Sequence, residues 1–416
     1  MKREKILVYI FILLSFFLSS IKIRTIKADW ENDAMYPFWK GDIMINESML
    51  PVSYAGGKPE ASFLFPPINI ISVKNSALDI TYKESQDWVY DNGKLKLPAG
   101  SKIPYLKDTD LDPPKVIEGG YFHTHQIAVT YTHSNNIWKG PIPTFAGKSG
   151  LPNTIKKLSQ QEPLKVVLFG DSISKGASTS SFLRLPPYLP IWGELVAETL
   201  QKTYHSTITF VNSSVGGKTS SWGYQNVREL VSNQHPDLVI IAFGMNDGTG
   251  KVPENTFKNN LNLMINDIKN INPKTEFILV TPTLANPKSN YSGNQASYKN
   301  VIKSLAKTGV VIADITGVHQ ELLKTKKFAD MTGNNINHPN DFLVRWYAQE
   351  VAGLLIPPPT IAGDLNGSGS VDNKDYTIFV SNFGKTGVFG FIPSDIDKNG
   401  RVDIFDYNTL VENFGK

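Results

Sequence analysis

The stretch Leu164–Ser174, with the sequence LKVVLFGDSIS, constrains the fold of this chain more than any other stretch. Its apolar, partly β-branched run ends at Gly170, and Asp171 and Ser172 follow at once. A run of this kind closed by glycine is typical of a buried strand in a parallel sheet. Open α/β sheets place their chemistry just beyond the carboxyl ends of their strands, so Ser172 is a candidate functional residue. A serine hydroxyl is a poor nucleophile unless a base takes its proton and dipoles hold the oxyanion.

The chain that follows this stretch alternates between strand-like and helix-like segments. Strands are predicted near Thr207–Val211, Asp237–Phe243, Glu276–Val280 and Val310–Ile315, and helices over Ile191–Tyr204, Glu254–Asn270, Ala296–Lys307, His319–Lys326 and Asp341–Leu355. Alternation at this spacing predicts a parallel sheet with right-handed crossovers. We therefore expect a three-layer α/β/α domain over residues 152–356.

Three later blocks supply candidates for the base and the dipoles. The block Asn212–Thr219, NSSVGGKT, follows a predicted strand, and its glycines let backbone N–H groups approach a reacting oxygen closely. The block Phe243–Asp247, FGMND, ends another predicted strand and so brings Asn246 to the same rim. The third block, NHP, contains His338 and directly precedes the last predicted helix of the domain.

Taken in chain order, Ser172, the glycine block, Asn246 and His338 resemble the SGNH (GDSL-like) hydrolases, and the resemblance covers about Pro163–Leu355. It implies a flavodoxin-like α/β/α domain and a serine esterase that uses no cofactor for catalysis. Ser172 matches the family nucleophile and His338 the general base. The backbone N–H of Ser172, Gly217 and the Asn246 side chain match the donors to the oxyanion.

The chain departs from this family at the residue that orients the histidine. The usual acid lies three residues before the histidine, and Asn335 occupies that position here. A neutral amide can accept a hydrogen bond from the imidazole, but it stabilises imidazolium less than a carboxylate does. Three alternatives stay open at this point: Asn335 orients His338, a backbone carbonyl orients it, or Asp330 is the third member of the triad.

The composition limits which cellular compartments and which classes of binding partner we expect. The 416 residues include no cysteine, which excludes disulfides, thiolate metal sites and cysteine nucleophiles. The formal net charge is +4, and no basic block beyond the first residues suggests nucleic acid. Basic residues within Met1–Lys5 and the apolar run Ile6–Leu18 predict a secretory signal over residues 1–28. The alternative is an uncleaved membrane anchor. In either case we expect the rest of the chain to be exported, as a secreted or cell-surface protein, and if the signal is cleaved we expect no stable membrane span.

The sequence pattern of residues 29–151 differs from that of the α/β segment. Short runs such as Ala61–Phe65, Ile68–Val73, Leu78–Tyr82 and Gln126–His133 are separated by glycine, proline, asparagine and aspartate. Alternating apolar residues with frequent turns predict a β-rich domain, and we expect a small sandwich. Comparable β domains precede the hydrolase domain in some SGNH carbohydrate esterases, so the resemblance implies an accessory role for this region.

A proline-rich linker is predicted over residues 357–362, and an internal repeat follows it. The segment Asp364–Lys385 returns at Asp395–Lys416, with NFGK at the end of both copies. Each copy begins with the spacing of a calcium loop and has glycine at the sixth position. The predicted ligands are Asp364, Asn366, Ser368, Asp372 and Asp375 in the first loop and Asp395, Asp397, Asn399, Asp403 and Asp406 in the second. We therefore predict two structural Ca²⁺ ions.

Each loop leads into a predicted helix, over Tyr376–Phe383 and Tyr407–Phe414, without a preceding helix of EF-hand length. This arrangement resembles a dockerin domain over residues 363–416. The resemblance implies calcium-dependent folding and docking onto a cohesin module of a scaffold or a cell surface. The residues after the ninth loop position differ between the copies, which leaves the partner class open: Asn373 and Lys374 against Ile404 and Phe405.

These observations predict an exported serine esterase with three parts: an accessory β domain, a catalytic α/β/α domain and a calcium-loaded anchoring module. The expected substrate is an acylated carbohydrate, with acetyl as the expected acyl group, because dockerins accompany enzymes that act on polysaccharides. Two alternatives remain. One is a binding protein that has lost turnover and kept a sugar-binding cleft, and the other is a lipid esterase.

Overall fold

The computed structural model describes residues 34–115, 117, 119–135, 137–358, 361–365, 370–387, 392, 394–397 and 399–416. The predicted signal at residues 1–28 lies outside the described residues, as do positions 359 and 360 of the predicted linker. Within the described part of the chain, no helix combines the length and the apolar character that crossing a bilayer requires.

The N-terminal region contains two small sheets. Their strands are β1 (Ile43–Met49), β2 (Val52–Ser53), β3 (Glu60–Ser62), β4 (Pro67–Asn75), β5 (Thr81–Tyr82), β6 (Val89–Asp91), β7 (Lys94–Lys96), β8 (Leu106–Lys107) and β9 (Ile127–His133). One sheet has the antiparallel order β1–β9–β4–β5, and the other has the order β6–β7–β3–β2–β8. Short helices at Asp108–Leu111 and Tyr121–His125 precede β9. Packing of the two sheets as a sandwich stays a prediction.

A five-stranded parallel sheet forms the centre of the following α/β segment. Its strands are β10 (Leu164–Gly170), β11 (Ile208–Asn212), β12 (Leu238–Ala242), β13 (Glu276–Val280) and β14 (Val310–Ala313). Their spatial order is β11–β10–β12–β13–β14, which is the doubly wound order of flavodoxin-like sheets. The direction of winding reverses between β10 and β12, so the predicted strand before Ser172 ends at the point where such sheets hold their ligands.

Helices cover both faces of this sheet, which confirms the predicted α/β architecture. The longer ones are Pro152–Ser159, Trp192–Tyr204, Ser220–Leu230, Glu254–Ile271, Tyr298–Lys303, Ile315–Leu322 and Asp341–Leu355. Val167 and Phe169 of β10 face one layer, where they join a core with Phe257 and other residues of three helices. Leu168 faces the other layer, where a side chain at Gly193 would collide with it. Alternate residues of one strand therefore serve two helical layers.

One predicted helix is displaced along the chain. The helix expected over His319–Lys326 spans Ile315–Leu322 instead. The cause is Asp314, whose side chain accepts a 2.9 Å hydrogen bond from the Gly317 amide and so caps an earlier start.

A buried ion pair joins the N-terminal region to the α/β segment. Lys326 Nζ lies 2.5 Å from Glu47 Oε1, and neither side chain has any exposed surface. Burial raises the pKa of Glu47, while Lys326 and the hydroxyl of Tyr131 oppose that rise. Lys326 also donates to the Ser62 carbonyl, and Glu47 accepts from the Leu64 amide. The pair therefore has the additional hydrogen bonds that buried charges require.

The C-terminal region contains two further helices, Asn373–Asn382 and Ile404–Glu412. Asp372 and Asp403 cap their N-termini by accepting from the amides of Lys374 and Phe405. A small core of Val371, Phe379, Val402 and Leu410 lies between the two repeats.

Replacing Lys326 with Met should lower the free energy of unfolding by about 3–5 kcal/mol, because Glu47 would stay buried without its cation. The matched control is Lys324→Met. Lys324 pairs with Glu321 on the surface, where its side chain is 69% exposed. Loss of an exposed pair should cost less than about 1 kcal/mol. Urea denaturation of both variants measures the difference, and equal losses would contradict a structural role for the buried pair.

Candidate active site

The candidate site lies at the carboxyl edge of the parallel sheet. Ser172 follows β10, the glycine block follows β11, and Asn246 lies in the short helix Met245–Thr249 after β12. Because β10 pairs in parallel with both β11 and β12, these three connections begin side by side. The connection before the helix Asp341–Leu355 brings His338 to the same edge.

The two residues expected to carry the chemistry are in contact. Ser172 Oγ and His338 Nε2 lie 3.0 Å apart, and both side chains are partly exposed. With its ring proton on Nδ1, the imidazole accepts the serine hydroxyl proton at Nε2. The distance is within the range for proton transfer between a nucleophile and its base.

His338 is held in a short closed loop, residues 332–340, which we call the histidine segment. The ends of the loop are joined by hydrogen bonds from the Gly333 amide to the His338 carbonyl and from the Asn340 amide to the Met331 carbonyl. Inside the loop, Asn334 Oδ1 accepts from the backbone amides of Ile336, Asn337 and His338 at 3.0, 3.0 and 3.1 Å. One buried amide oxygen therefore fixes the backbone of the catalytic candidate.

The structure places Asn335 in contact with the N-terminal region. Asn335 adopts a left-handed backbone with φ +55°, and its Nδ2 donates to the Leu111 carbonyl at 3.1 Å. Its own backbone carbonyl accepts from Asn286 Nδ2. The Asn335 side chain therefore bonds the N-terminal region through Nδ2, and its role in orienting the imidazole stays a prediction.

Asp330, the other candidate acid, is committed elsewhere. Its two carboxylate oxygens accept from the amides of Leu50 and Lys327 at 2.9 and 2.8 Å. These bonds cap the short helix Phe328–Met331 and tie it to the N-terminal region. Both carboxylate oxygens of Asp330 therefore bond backbone amides, and in this way Asp330 holds the chain that leads into the histidine segment.

The histidine acts electrostatically on a different carboxylate, that of Asp171. Asp171 is buried directly before the nucleophile, and its Oδ1 accepts from the Ile173 amide at 3.0 Å. Burial raises the pKa of Asp171 to about 7, and the nearby His338 favours its ionised form.

The glycine block, which contains the predicted oxyanion donor Gly217, passes beside Ser172. A side chain at Gly216 would lie 3.7 Å from Ser172 Cβ, so the block runs past the nucleophile. Gly217 has φ +73°, a conformation that side chains other than glycine rarely adopt. Asn246 Nδ2 donates to the Lys218 carbonyl at 3.0 Å and thereby ties its amide to this block.

A buried aspartate also holds the residue that directly follows the glycine block. Asp247 accepts from the amide and hydroxyl of Ser220, at 3.0 and 2.5 Å, at the start of the next helix. Burial raises the pKa of Asp247, whereas the bonds from Ser220 lower it. Asn260 completes this buried group by donating to the Ser220 hydroxyl.

The predicted calcium ligands are described in part. Carboxylate oxygens of Asp395, Asp397 and Asp406 lie within 4.8 Å of one another. In the first loop, Asp375 accepts from the Leu365 and Asp372 amides, while Asn366 and Ser368 lie outside the described residues. The other predicted ligands that the structure describes are Asp364, Asp372, Asn399 and Asp403. Asp364 is buried, Asp372 and Asp403 cap the two helices, and the Asn399 amide donates to Asp395.

Comparison with known proteins shows that part of this chain is similar to a known family. Residues 168–342 match the GDSL-like Lipase/Acylhydrolase family. Over 111 residues the chain is 31% identical to an arylesterase of Vibrio mimicus, a match that covers 27% of this chain and 52% of that protein. The chain thus spans about half the length of this curated relative.

Two solved structures are also similar to this chain. One is a two-domain esterase active on acetylated mannans, at 20% identity and a TM-score of 0.42, with 51% of this chain and 54% of that chain covered. The other is an acetylxylan esterase from Geobacillus stearothermophilus, at 24% identity and a TM-score of 0.38, with 45% of this chain and 92% of that chain covered.

Asn334, rather than Asn335, should control the position of His338. We expect Asn334→Ala to lower kcat for ester hydrolysis at least about 10-fold, because three backbone amides lose their acceptor. Asn334→Asp retains that acceptor but loses the donor to Asn337 Oδ1, so it should lose less activity than Asn334→Ala. Asn335→Gly keeps the left-handed backbone and should also stay active. Steady-state kinetics of the three variants measure this order, and a larger loss in Asn335→Gly would contradict it.

Proposed function

We propose that this chain, whose residues 168–342 form an ester-hydrolase domain of the GDSL-like Lipase/Acylhydrolase type, is a serine esterase that removes acyl groups from carbohydrates. The observation that carries the proposal is the 3.0 Å contact between Ser172 Oγ and His338 Nε2 beside a glycine block. A nucleophile, a base and a set of backbone donors are the parts that acyl transfer requires.

In the proposed reaction, Ser172 Oγ attacks the ester carbonyl while His338 Nε2 takes the hydroxyl proton. The carbonyl oxygen becomes an oxyanion, which the Ser172 amide, Gly217 and the Asn246 side chain stabilise. His338 then gives its proton to the departing sugar oxygen, and the acyl group stays on Ser172. Water, deprotonated by His338, attacks the acyl-enzyme; the bond from Ser172 Oγ to the acyl carbon then breaks, His338 returns the proton to Ser172 Oγ, and the carboxylic acid is released. In this proposal the buried Asp171, whose ionised form His338 favours, supplies negative charge beside the site.

The surface beside the site favours a polar substrate. Gly216 and Gly217 are exposed, so the oxyanion side of the serine is open to solvent. On the helix directly after the glycine block, Tyr224 is 41% exposed and offers a ring that can stack on a sugar face. Trp222 has a different role, because its ring packs near Phe169 and under Lys218 Nζ. The acetylated glycans named for the similar structures are the substrate class to test first.

The same proposal extends to export and tethering. The predicted signal and the dockerin-like repeat together describe an exported enzyme held by a cohesin-type partner, with two calcium ions stabilising the repeat. The clustered oxygens of Asp395, Asp397 and Asp406 support the second calcium site. Exposed apolar side chains at Ile404 and Phe405 support a docking face on the second copy.

Mutation of the nucleophile tests the esterase proposal. Ser172→Ala and His338→Ala should each lower hydrolysis of 4-nitrophenyl acetate and of acetylated xylan or mannan by at least about 10³-fold. The matched control is Ser174→Ala on the same loop, where the buried hydroxyl has no hydrogen-bond partner in the described structure. A fluorophosphonate probe should label the wild type and Ser174→Ala but not Ser172→Ala.

Other outcomes separate the alternatives. Absence of labelling in the wild type, together with retained glycan binding, would replace the esterase by a sugar-binding protein. A preference for 4-nitrophenyl palmitate over the acetate would point to a lipid esterase instead.

Calcium should order the C-terminal repeat without changing the chemistry of the esterase. We expect Ca²⁺ to increase the protection of the helix Ile404–Glu412 against hydrogen exchange, because neutralising the clustered carboxylates favours the folded loop. Asp406→Asn should weaken this response, whereas the exposed control Asp91→Asn should not. Equal exchange with calcium and with a chelator would refute the predicted calcium site.

A further inference from the structure

We propose that the N-terminal region positions the catalytic histidine, and that Gln126 is the residue through which it does so. This inference rests on the proposed esterase function and concerns the same site. It assigns to the N-terminal region a part in the reaction that is separate from any contact with substrate.

Gln126 holds the two ends of the histidine segment with one side chain. Its Nε2 donates to the carbonyls of Ala329 and Thr332, at 2.7 and 2.9 Å. Its Oε1 accepts from Asn340 Nδ2 at 3.0 Å. Thr332 begins the segment and Asn340 ends it, so both ends are tied to a side chain that is only 2% exposed.

The identity of the side chain matters because all its hydrogen-bonding groups are in use. Both N–H groups of the amide point at carbonyl oxygens, and its oxygen faces a donor. A carboxylate of the same length would place negative charge against the two carbonyls. An apolar side chain of similar size would leave those carbonyls and the Asn340 amide buried without this partner.

Asn340 extends the connection into the first strand. The same Nδ2 group lies 2.9 Å from both Ser48 Oγ of β1 and the Asp330 carbonyl oxygen, so its two N–H groups are shared among three acceptors. The Leu50 amide, just after β1, donates to the carboxylate of Asp330. The histidine segment therefore lies between the α/β core and a buried polar layer supplied by the N-terminal region.

This placement matters for the rate, because Ser172 and His338 come from different ends of the α/β segment. Their 3.0 Å contact depends on where the histidine segment sits relative to β10. A misplacement of about 1 Å at a catalytic contact costs about 100-fold in rate. A residue that fixes both ends of the segment is well placed to prevent such a shift.

The chain offers a matched control in Gln349. This second buried glutamine is also 2% exposed and also joins the N-terminal region to the α/β segment. Its Oε1 accepts from the Phe38 amide and its Nε2 donates to the Ala34 carbonyl, at 3.1 and 3.0 Å. It lies within the helix Asp341–Leu355 and forms no hydrogen bond with the histidine segment in the described structure.

The test compares Gln126→Met with Gln349→Met in the full-length protein. Both should lower the melting temperature. Only Gln126→Met should lower kcat for 4-nitrophenyl acetate, by about 10- to 100-fold, while KM changes less than about 2-fold. The rate constant for fluorophosphonate labelling, corrected for the folded fraction, should fall by the same factor as kcat. Gln126→Glu, which keeps the length and one acceptor, should show the same selective loss and serves if Gln126→Met does not fold.

Two results would overturn the inference. One is labelling of folded Gln126→Met or Gln126→Glu at the wild-type rate. The other is an equal loss of kcat in Gln349→Met, which would show that any weakening of this interface has the same effect. A wild-type protein that is neither labelled nor active refutes the proposed function itself, and the positioning inference falls with it.

Discussion

The 3.0 Å contact between Ser172 and His338 depends on buried polar groups that lie outside the α/β sheet. The sheet fixes Ser172 directly, because the nucleophile follows β10 at the point where the strand order reverses. It does not fix His338 in the same way, since the histidine segment leaves the core before the helix Asp341–Leu355. A loop in that position stays in place only if its backbone groups find partners.

Two sets of partners meet this requirement. Asn334 satisfies three amides from inside the loop, and Gln126 satisfies the carbonyls and the side chain at its ends. Desolvation makes each of these groups costly to leave unpaired, so the loop has few alternative arrangements. The buried pair of Glu47 and Lys326 acts on the same interface at a greater distance from the site.

The sequence predicted the sheet and the meeting of Ser172 with His338 because those signals are local. An apolar run closed by Gly170 indicates a strand, and Ser172, Asn246 and His338 each follow a strand or precede a helix. The support of the histidine could not be predicted in this way. Gln126 is 203 residues from Ala329 along the chain, and no spacing rule relates them.

The two neighbouring asparagines illustrate the same limit. Family spacing pointed to Asn335, but the left-handed backbone at that residue turns its side chain toward Leu111. The tendency of asparagine to bond backbone amides a few residues ahead was the available signal for Asn334. It does not by itself decide which of two adjacent asparagines forms the turn.

The chain has no carboxylate three residues before the histidine, and this changes where the negative potential of the site can come from. With Asn335 in that position, the imidazolium formed during proton transfer needs another source of negative potential. Asp171 is buried beside the nucleophile with a pKa of about 7, so near neutral pH its charge responds readily to its surroundings. In the proposed reaction His338 carries a positive charge after it takes the proton of Ser172, and that charge favours ionisation of Asp171. Asp171 is thus the buried carboxylate beside Ser172 whose charge is linked to the proposed proton transfer.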